Sequence, residues 1–161
     1  MSKIKKLLNS DDTVLVFDID GVLALLEFGE YNHYYLDDDA WDKATNDGIN
    51  YYDELKVSKR MQEFLKNKNM DNVYVITTSA NINESEIKKE YVNKYYNIKK
   101  ENVYYVLNNK NKIDKLKIIK DKYPALEDYK IVMIDDTVGV LNSIMDNTNF
   151  STAHISSFLD I

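Results

Sequence analysis

Four short stretches of the chain carry residues that could act together on a phosphoryl group. Asp18 and Asp20 stand two apart with Gly21 next to them, and Thr77, Thr78 and Ser79 follow one another. Lys110 and Lys112 lie in an Asn-rich stretch, and Asp135 and Asp136 are adjacent. Carboxylate oxygens, waters and a phosphate oxygen suit Mg²⁺, a hard cation that prefers octahedral oxygen ligation. Without a cation, these four aspartates in one pocket would repel one another and a phosphate dianion. A carboxylate can attack phosphorus as a nucleophile and form an acyl phosphate. A second carboxylate two residues on can protonate the leaving oxygen and later deprotonate water. Lysine and threonine can stabilise charge on the equatorial phosphate oxygens. Glycine at 21 lets the backbone turn sharply beside the phosphate.

These stretches can cooperate only if the fold brings them together, and the hydrophobic pattern indicates how. Each follows an apolar run: TVLVF at 13–17, NVYVI at 72–76, NVYYVL at 102–107 and YKIVMI at 129–134. Continuous runs rich in β-branched and aromatic residues predict buried strands. Helices are predicted at 2–9, 55–68, 83–96, 113–123 and 138–145, and a short last strand at 152–155. On 55–68, Leu55, Met61, Phe64 and Leu65 share one side. On 83–96, Ile87, Tyr91 and Tyr95 recur at every fourth position. Strands alternating with helices predict an α/β fold, a three-layer Rossmann-like parallel sheet flanked by helices with right-handed crossovers. In such a sheet the ligand sits beyond the carboxyl ends of the strands, where all four stretches fall. Residues i and i+2 face the same side as a strand ends, so Asp18 and Asp20 can address one substrate.

Composition narrows the function classes. The chain has 161 residues, 44% hydrophobic and 30% charged, which suits a single domain over 1–161 and excludes wholesale disorder. No apolar run approaches the roughly 20 residues of a membrane span, and no signal-peptide pattern follows the basic residues 1–9. The absence of cysteine excludes disulfides, thiolate metal sites and cysteine nucleophiles, and a cytoplasmic location is expected. Net charge is −6 and Arg60 is the sole arginine, so the chain is poorly equipped for a polyanion. Glycine occurs only at 21, 29, 48 and 139 and proline only at 124, and no linker or repeat divides the chain.

The four stretches, in this order, resemble the motifs of the haloacid dehalogenase (HAD) superfamily. FDIDGVL around Asp18 resembles the first motif, and VYVIT ending at Thr77 resembles the second. Lys112, with Leu116 four residues later, resembles the third, and IVMIDD ending at Asp135 and Asp136 the acidic fourth. The resemblance spans residues 14–136. It implies a HAD-like fold and a Mg²⁺-dependent phosphatase in which Asp18 is the nucleophile and Asp20 the general acid and base. Thr77 would hold a phosphate oxygen, with Thr78 its rival. Lys112 would offset charge on nucleophile and phosphate, with Lys110 its rival. The metal set implied is Asp18, Asp20, Asp135 and Asp136, with Asp20 contributing its main-chain carbonyl and Asp136 either a ligand or an orienting neighbour. Val22 stands where many relatives have threonine. The presence of Asp20 points away from dehalogenases, which lack it, and from P-type ATPases, which have threonine there.

Relatives often insert a cap domain. Residues 24–54 are too few for a full helical cap, and 77–112 are filled by one helix and one strand. Residues 24–54 are therefore expected to form a small flap or cap-like insertion. An open site of this kind implies a large substrate or a lid lent by a partner subunit. Phe28, Tyr31, His33, Tyr34, Tyr35, Trp41, Tyr51 and Tyr52 concentrate there. They read first as cover over the core or a dimer contact, and second as a stacking wall for a flat group. Asp37, Asp38 and Asp39 read as the acidic start of a helix. His154 reads as a core or edge residue. Lysines 110, 112, 115, 117, 120 and 122 read as the solvated face of a helix, with one reserved for phosphate.

The function expected is a Mg²⁺-dependent phosphomonoesterase working through an aspartyl phosphate on a nucleotide or another small phosphorylated metabolite. Two types within the superfamily are similar. The 5′(3′)-deoxyribonucleotidases share the DIDGVLA opening and the motif layout, but carry a longer helical insert. The phosphatase domain of polynucleotide kinase/phosphatase proteins shares the small cap, the lysine-bearing helix and the strand ending IDD. A 3′-phosphatase on nucleic-acid ends is thus one alternative, less favoured given the acidic charge, and a non-catalytic HAD-like binding module is another.

Overall fold

The apolar runs lack a polar face because helices cover both sides of the sheet they form. The computed structural model describes residues 2–26 and 37–159. In chain order the elements are α1 (Lys3–Asn9), β1 (Val14–Phe17), β2 (Ala24–Leu25), α2 (Asp38–Asn46), β3 (Lys56–Val57), α3 (Lys59–Leu65) and β4 (Val73–Thr78). They continue with α4 (Ile82–Tyr96), β5 (Val103–Val106), α5 (Lys112–Asp121), β6 (Ile131–Asp135), α6 (Val138–Asn147) and β7 (Ser151–His154). On one face Leu15, Phe17, Val75 and Ile134 pack with Leu65 of α3 and with Tyr91 and Val92 of α4. On the other, Val14, Val16, Ile76 and Met133 pack with Leu116 and Ile119 of α5 and with Leu141 and Ile144 of α6. Each large aliphatic side chain buried in this way contributes about 1.5–3 kcal/mol.

The five-stranded sheet runs in the order β5-β4-β1-β6-β7, and every pairing is parallel. The chain winds outward from β1 to β4 and β5, then crosses to the other side of β1 for β6 and β7. The reversal leaves β1 in the middle, and a crevice for a ligand opens at the carboxyl ends on either side of such a reversal. Asp18 follows β1, Thr78 ends β4 and Asp135 ends β6, so three of the four stretches are neighbours by topology. The α/β sheet with helices on both faces agrees with the architecture read from the sequence.

Local chemistry shifts several boundaries. The helix expected over 55–68 spans only Lys59–Leu65, because Ser58 accepts from Met61 N and starts it. Residues 56–57 are drawn instead into a two-stranded antiparallel ladder, Ala24 opposite Val57 and Leu25 opposite Lys56. That ladder brackets the segment read as an insertion. Within it Asp37 caps α2 by accepting from Ala40 N at 2.8 Å, as the acidic run suggests. Phe28, Tyr31, His33, Tyr34 and Tyr35 lie outside the described residues. Strand β4 continues through Thr78, because the ladder with β5 extends to Thr77–Tyr105 and Thr78–Val106. The buried face of α4 is rotated from the one expected: Glu84, Ser85, Lys88, Tyr91, Val92 and Tyr96 are covered. No helix among the described residues is long and apolar enough to cross a membrane.

Candidate active site

Strand β1 delivers Asp18 to the sheet edge, where its amide still donates to the Ile134 carbonyl at 2.9 Å. The chain then makes one tight turn, in which the Ile19 carbonyl accepts from the amides of Val22, Leu23 and Ala24. Gly21 takes φ +75°, a left-handed conformation that favours glycine. A Cβ there would lie 2.2 Å from Asp136 Oδ2, so the turn also needs the missing side chain to approach the end of β6.

Asp135 is fully buried, and its Oδ1 accepts from Thr137 N at 2.9 Å. Lys112, the first residue of α5 and 1% exposed, places Nζ 2.8 Å from Asp135 Oδ2 and 3.2 Å from Asp18 Oδ2. The other Asp18 oxygen, Oδ1, is buried with no hydrogen-bond partner. Oxygens of Asp18, Asp135 and Asp136 lie within 4.8 Å of one another. A buried, unpartnered carboxylate oxygen beside two further carboxylates lacks positive charge on one side, and this donor set fits a hard divalent cation. Electrostatics tell the same story. Burial pushes the Asp18 carboxyl up to about 7 against the pull of Lys112, and repulsion from Asp135 and Asp20 adds to the rise. Burial and Asp135 likewise raise Asp136. Burial works to lower Lys112, but Asp18 and Asp135 outweigh it and hold the ammonium above its ordinary value.

Asp20 is held apart from this carboxylate cluster. Its Oδ1 accepts from the Tyr52 hydroxyl at 2.5 Å and its Oδ2 pairs with Lys88 Nζ at 3.0 Å. Lys88 is 1% exposed, lies 2.7 Å from Glu84 Oε1, and donates to the Thr78 carbonyl. Glu84 in turn accepts from Ala80 N at 2.7 Å and from the Trp41 indole at 3.2 Å, while its own amide is capped by Asn81. Burial works to lower Lys88, yet Asp20 and Glu84 hold it above its ordinary value. Tyr52, nearly buried, has its phenol raised by burial and then by Asp20. A metal role for Asp20 would fall to its main-chain oxygen, since its carboxylate is occupied by Tyr52 and Lys88.

The two threonines separate by the pleat of β4, which sends successive side chains to opposite faces. Thr77 is 1% exposed and its hydroxyl turns to the Thr78 carbonyl at 3.4 Å. Thr78 is partly exposed, donates to Asn109 Oδ1 at 2.8 Å, and lines a cleft of about 580 Å³ together with Asp18, Asp20, Asp136 and Trp41. Thr77 does not line that cleft. Lys110 is exposed while Lys112 sits on Asp18. His154 Nδ1 accepts from Ser156 N, which leaves Nε2 to donate to the Asp136 carbonyl at 3.0 Å. Its sequence reading as an edge residue thus gains a hold on the Asp136 backbone.

Glu84 and Lys88 were not singled out by the sequence, and Tyr52 was read only as one of a group of aromatics. Glu84 and Lys88 stand four apart on a helix, the spacing of an ordinary solvated ion pair. The available signal was that they continue the buried stripe of Tyr91 and Val92 toward the start of α4.

Neither a protein-family model nor a curated protein sequence matches the chain. Solved structures do. A HAD family enzyme from Bacteroides thetaiotaomicron, described as a magnesium complex, aligns with TM-score 0.52 and 16% identity over 90% of this chain and 93% of that one. DsGPDH of Dunaliella salina aligns with TM-score 0.56 and 13% identity over 94% of this chain, which spans 25% of that protein's length. The HAD domain of effector protein Lem4 from Legionella pneumophila gives TM-score 0.44 and 15% identity over 88% of this chain. At these identities the first two likenesses establish a shared α/β fold.

Proposed function

We propose that the chain is a Mg²⁺-dependent phosphoric monoester hydrolase that works through phosphorylated Asp18 on a nucleotide or another small phosphorylated metabolite. The observation that carries this reading is the Asp18 carboxylate, one oxygen held by Lys112 and the other buried and unpartnered beside Asp135 and Asp136. The magnesium complex described for the Bacteroides enzyme of the same fold supports the choice of cation. Asp18, Asp135 and Asp136, with the Asp20 carbonyl, would hold Mg²⁺, which when bound keeps Asp18 ionised and offsets phosphate charge.

The remaining chemistry belongs to the chain's own residues. An Asp18 oxygen attacks phosphorus, and the bond from phosphorus to the alcohol oxygen breaks. The departing oxygen takes the proton carried by Asp20. Water then attacks phosphorus and gives its proton to Asp20, the bond to Asp18 breaks, and inorganic phosphate leaves. Lys112 offsets charge on Asp18 throughout, and the Thr78 hydroxyl, rather than that of Thr77, faces the cleft where a phosphate oxygen would lie.

The test is phosphate release from nucleotides, sugar phosphates and a 3′-phosphorylated oligonucleotide, with Mg²⁺ and with chelator. Metal-dependent release from a small ester is the expected result. Preference for the oligonucleotide would select the nucleic-acid-end reading, and no release from any member would overturn the phosphatase.

A further inference from the structure

Resting on the phosphatase reading above, we infer that the alcohol part of the substrate is neutral or cationic, with a flat or apolar body and no second anionic group. At the phosphate end Lys112, buried behind Asp18, and the expected cation balance charge, whereas the wall beyond has no charge to spare for another anion. Among the described residues lining the cleft, Lys88 is the one cationic side chain. It is 1% exposed, and its charge is taken up by Asp20 at 3.0 Å and Glu84 at 2.7 Å. Asp42, exposed on α2, adds a further carboxylate to the same cleft. Asp20, Glu84 and Asp42 against Lys88 leave this wall net negative, and Glu84 and Asp42 keep it so when Asp20 carries the proton for the leaving oxygen. A second phosphate or a carboxylate on the substrate would meet like charge, which suppresses such a partner.

The same wall offers an apolar surface that is already formed. Trp41 stacks on Tyr51 with centroids 5.3 Å apart and planes 25° apart, and it meets Tyr52 edge-on at 5.8 Å. Its indole nitrogen is tied to Glu84 at 3.2 Å. An aromatic ring fixed in this way binds a flat or apolar group with little ordering cost. Leu107, 71% exposed, adds apolar surface to the same cleft. The 3′-phosphorylated end of a nucleic acid, which carries another phosphate next to the reacting one, is the wrong shape of charge for this wall.

A matched set of aryl phosphates tests the inference: phenyl phosphate bearing a para hydroxymethyl, aminomethyl or carboxymethyl group. The methylene insulates the ring, so the leaving groups stay alike while the remote charge changes. With Mg²⁺ at low ionic strength, kcat/KM for the carboxymethyl ester should fall at least about tenfold below that for the aminomethyl ester. Added salt should shrink the ratio, and Asp42→Lys should narrow it severalfold. Equal or better use of the carboxymethyl ester, or a ratio that neither salt nor Asp42→Lys moves, overturns the inference and leaves the phosphatase standing. Hydrolysis of none of the three overturns the phosphatase reading and this one with it.

Discussion

Lys88 Nζ lies 3.0 Å from Asp20 Oδ2 while Tyr52 donates to the other oxygen of the same carboxylate. Glu84, 2.7 Å from Lys88, anchors the same ammonium. Asp20 is therefore oriented by α4 and by the 3₁₀ turn at Tyr51–Asp53, elements that lie far from it in sequence. A carboxylate held on both oxygens has one orientation, which is what the proton transfer proposed for Asp20 requires.

Releasing that hold should slow turnover most where the leaving group needs a proton. Tyr52→Phe should lower kcat about tenfold or more for alkyl phosphates and much less for p-nitrophenyl phosphate, with KM little changed. Lys88→Met should do the same and also cost about 3–5 kcal/mol of stability, because two carboxylates lose their buried cation. Lys88→Arg should recover part of both. Leaving-group dependence of kcat, measured beside urea unfolding, checks this: an equal loss on all esters would show a merely structural role.

Lys112 is the counter-charge for two buried carboxylates, so Lys112→Met should abolish turnover and cost about 3–5 kcal/mol at neutral pH. Without the ammonium, Asp18 holds its proton more readily in the folded state. Stability of the variant should therefore be greatest in acid and fall as pH rises. Urea unfolding at pH 5 and pH 8 measures this, and a variant as stable as the wild type at pH 8 would contradict it.

Wild-type protein in chelator should show a milder form of the same trend. Burial pushes the folded Asp18 carboxyl up to about 7 from 3.8. The stability this shift supplies is fully present below about pH 4 and is lost as pH rises through 7. Relative to Asp18→Asn, the wild type should lose stability between pH 5 and 8, with a slope of at most about 1.4 kcal/mol per pH unit. Mg²⁺ should remove the slope, because a cation favours the ionised carboxylate. Parallel curves for the two proteins in chelator would contradict the assignment.

The two threonines should part company. Thr78→Val removes the hydroxyl at the cleft and should raise KM or lower kcat about tenfold with little change in stability. Thr77→Val alters a sealed side chain and should leave the kinetic constants near wild type. Steady-state kinetics of the pair decides, and the reverse pattern would place the phosphate on the other face of β4.

Much of this site could be read from the residues before the fold was known. The β-branched runs before Asp18 and Asp135 have no polar face, so they had to be covered on both sides, and a parallel sheet of that kind gathers its strand ends. That logic expected Asp18, Lys112, Asp135 and Asp136 in one place, and their side chains do lie together. It did not separate Thr77 from Thr78, because the pleat assigns one to each face and the register with β5 decides which. It also missed Lys88, since a Glu84–Lys88 spacing looks the same on a helix whether water or a buried aspartate lies opposite. Tyr52 was grouped with a loop of aromatics, whereas its ring is nearly buried against Tyr91 at 5.4 Å and its hydroxyl donates to Asp20. The start of α3 moved to residue 59 because Ser58 supplies a cap that hydrophobic spacing does not register.

The central claim is that phosphorus is bonded to Asp18 during turnover. Borohydride added to enzyme turning over a small phosphomonoester with Mg²⁺ reduces an acyl phosphate to the alcohol, converting the modified aspartate to homoserine, which peptide mass spectrometry locates. The account expects that conversion at residue 18, dependent on substrate and Mg²⁺ and absent in Asp18→Asn. Conversion at another carboxylate, or an active enzyme that shows none at residue 18, would contradict it.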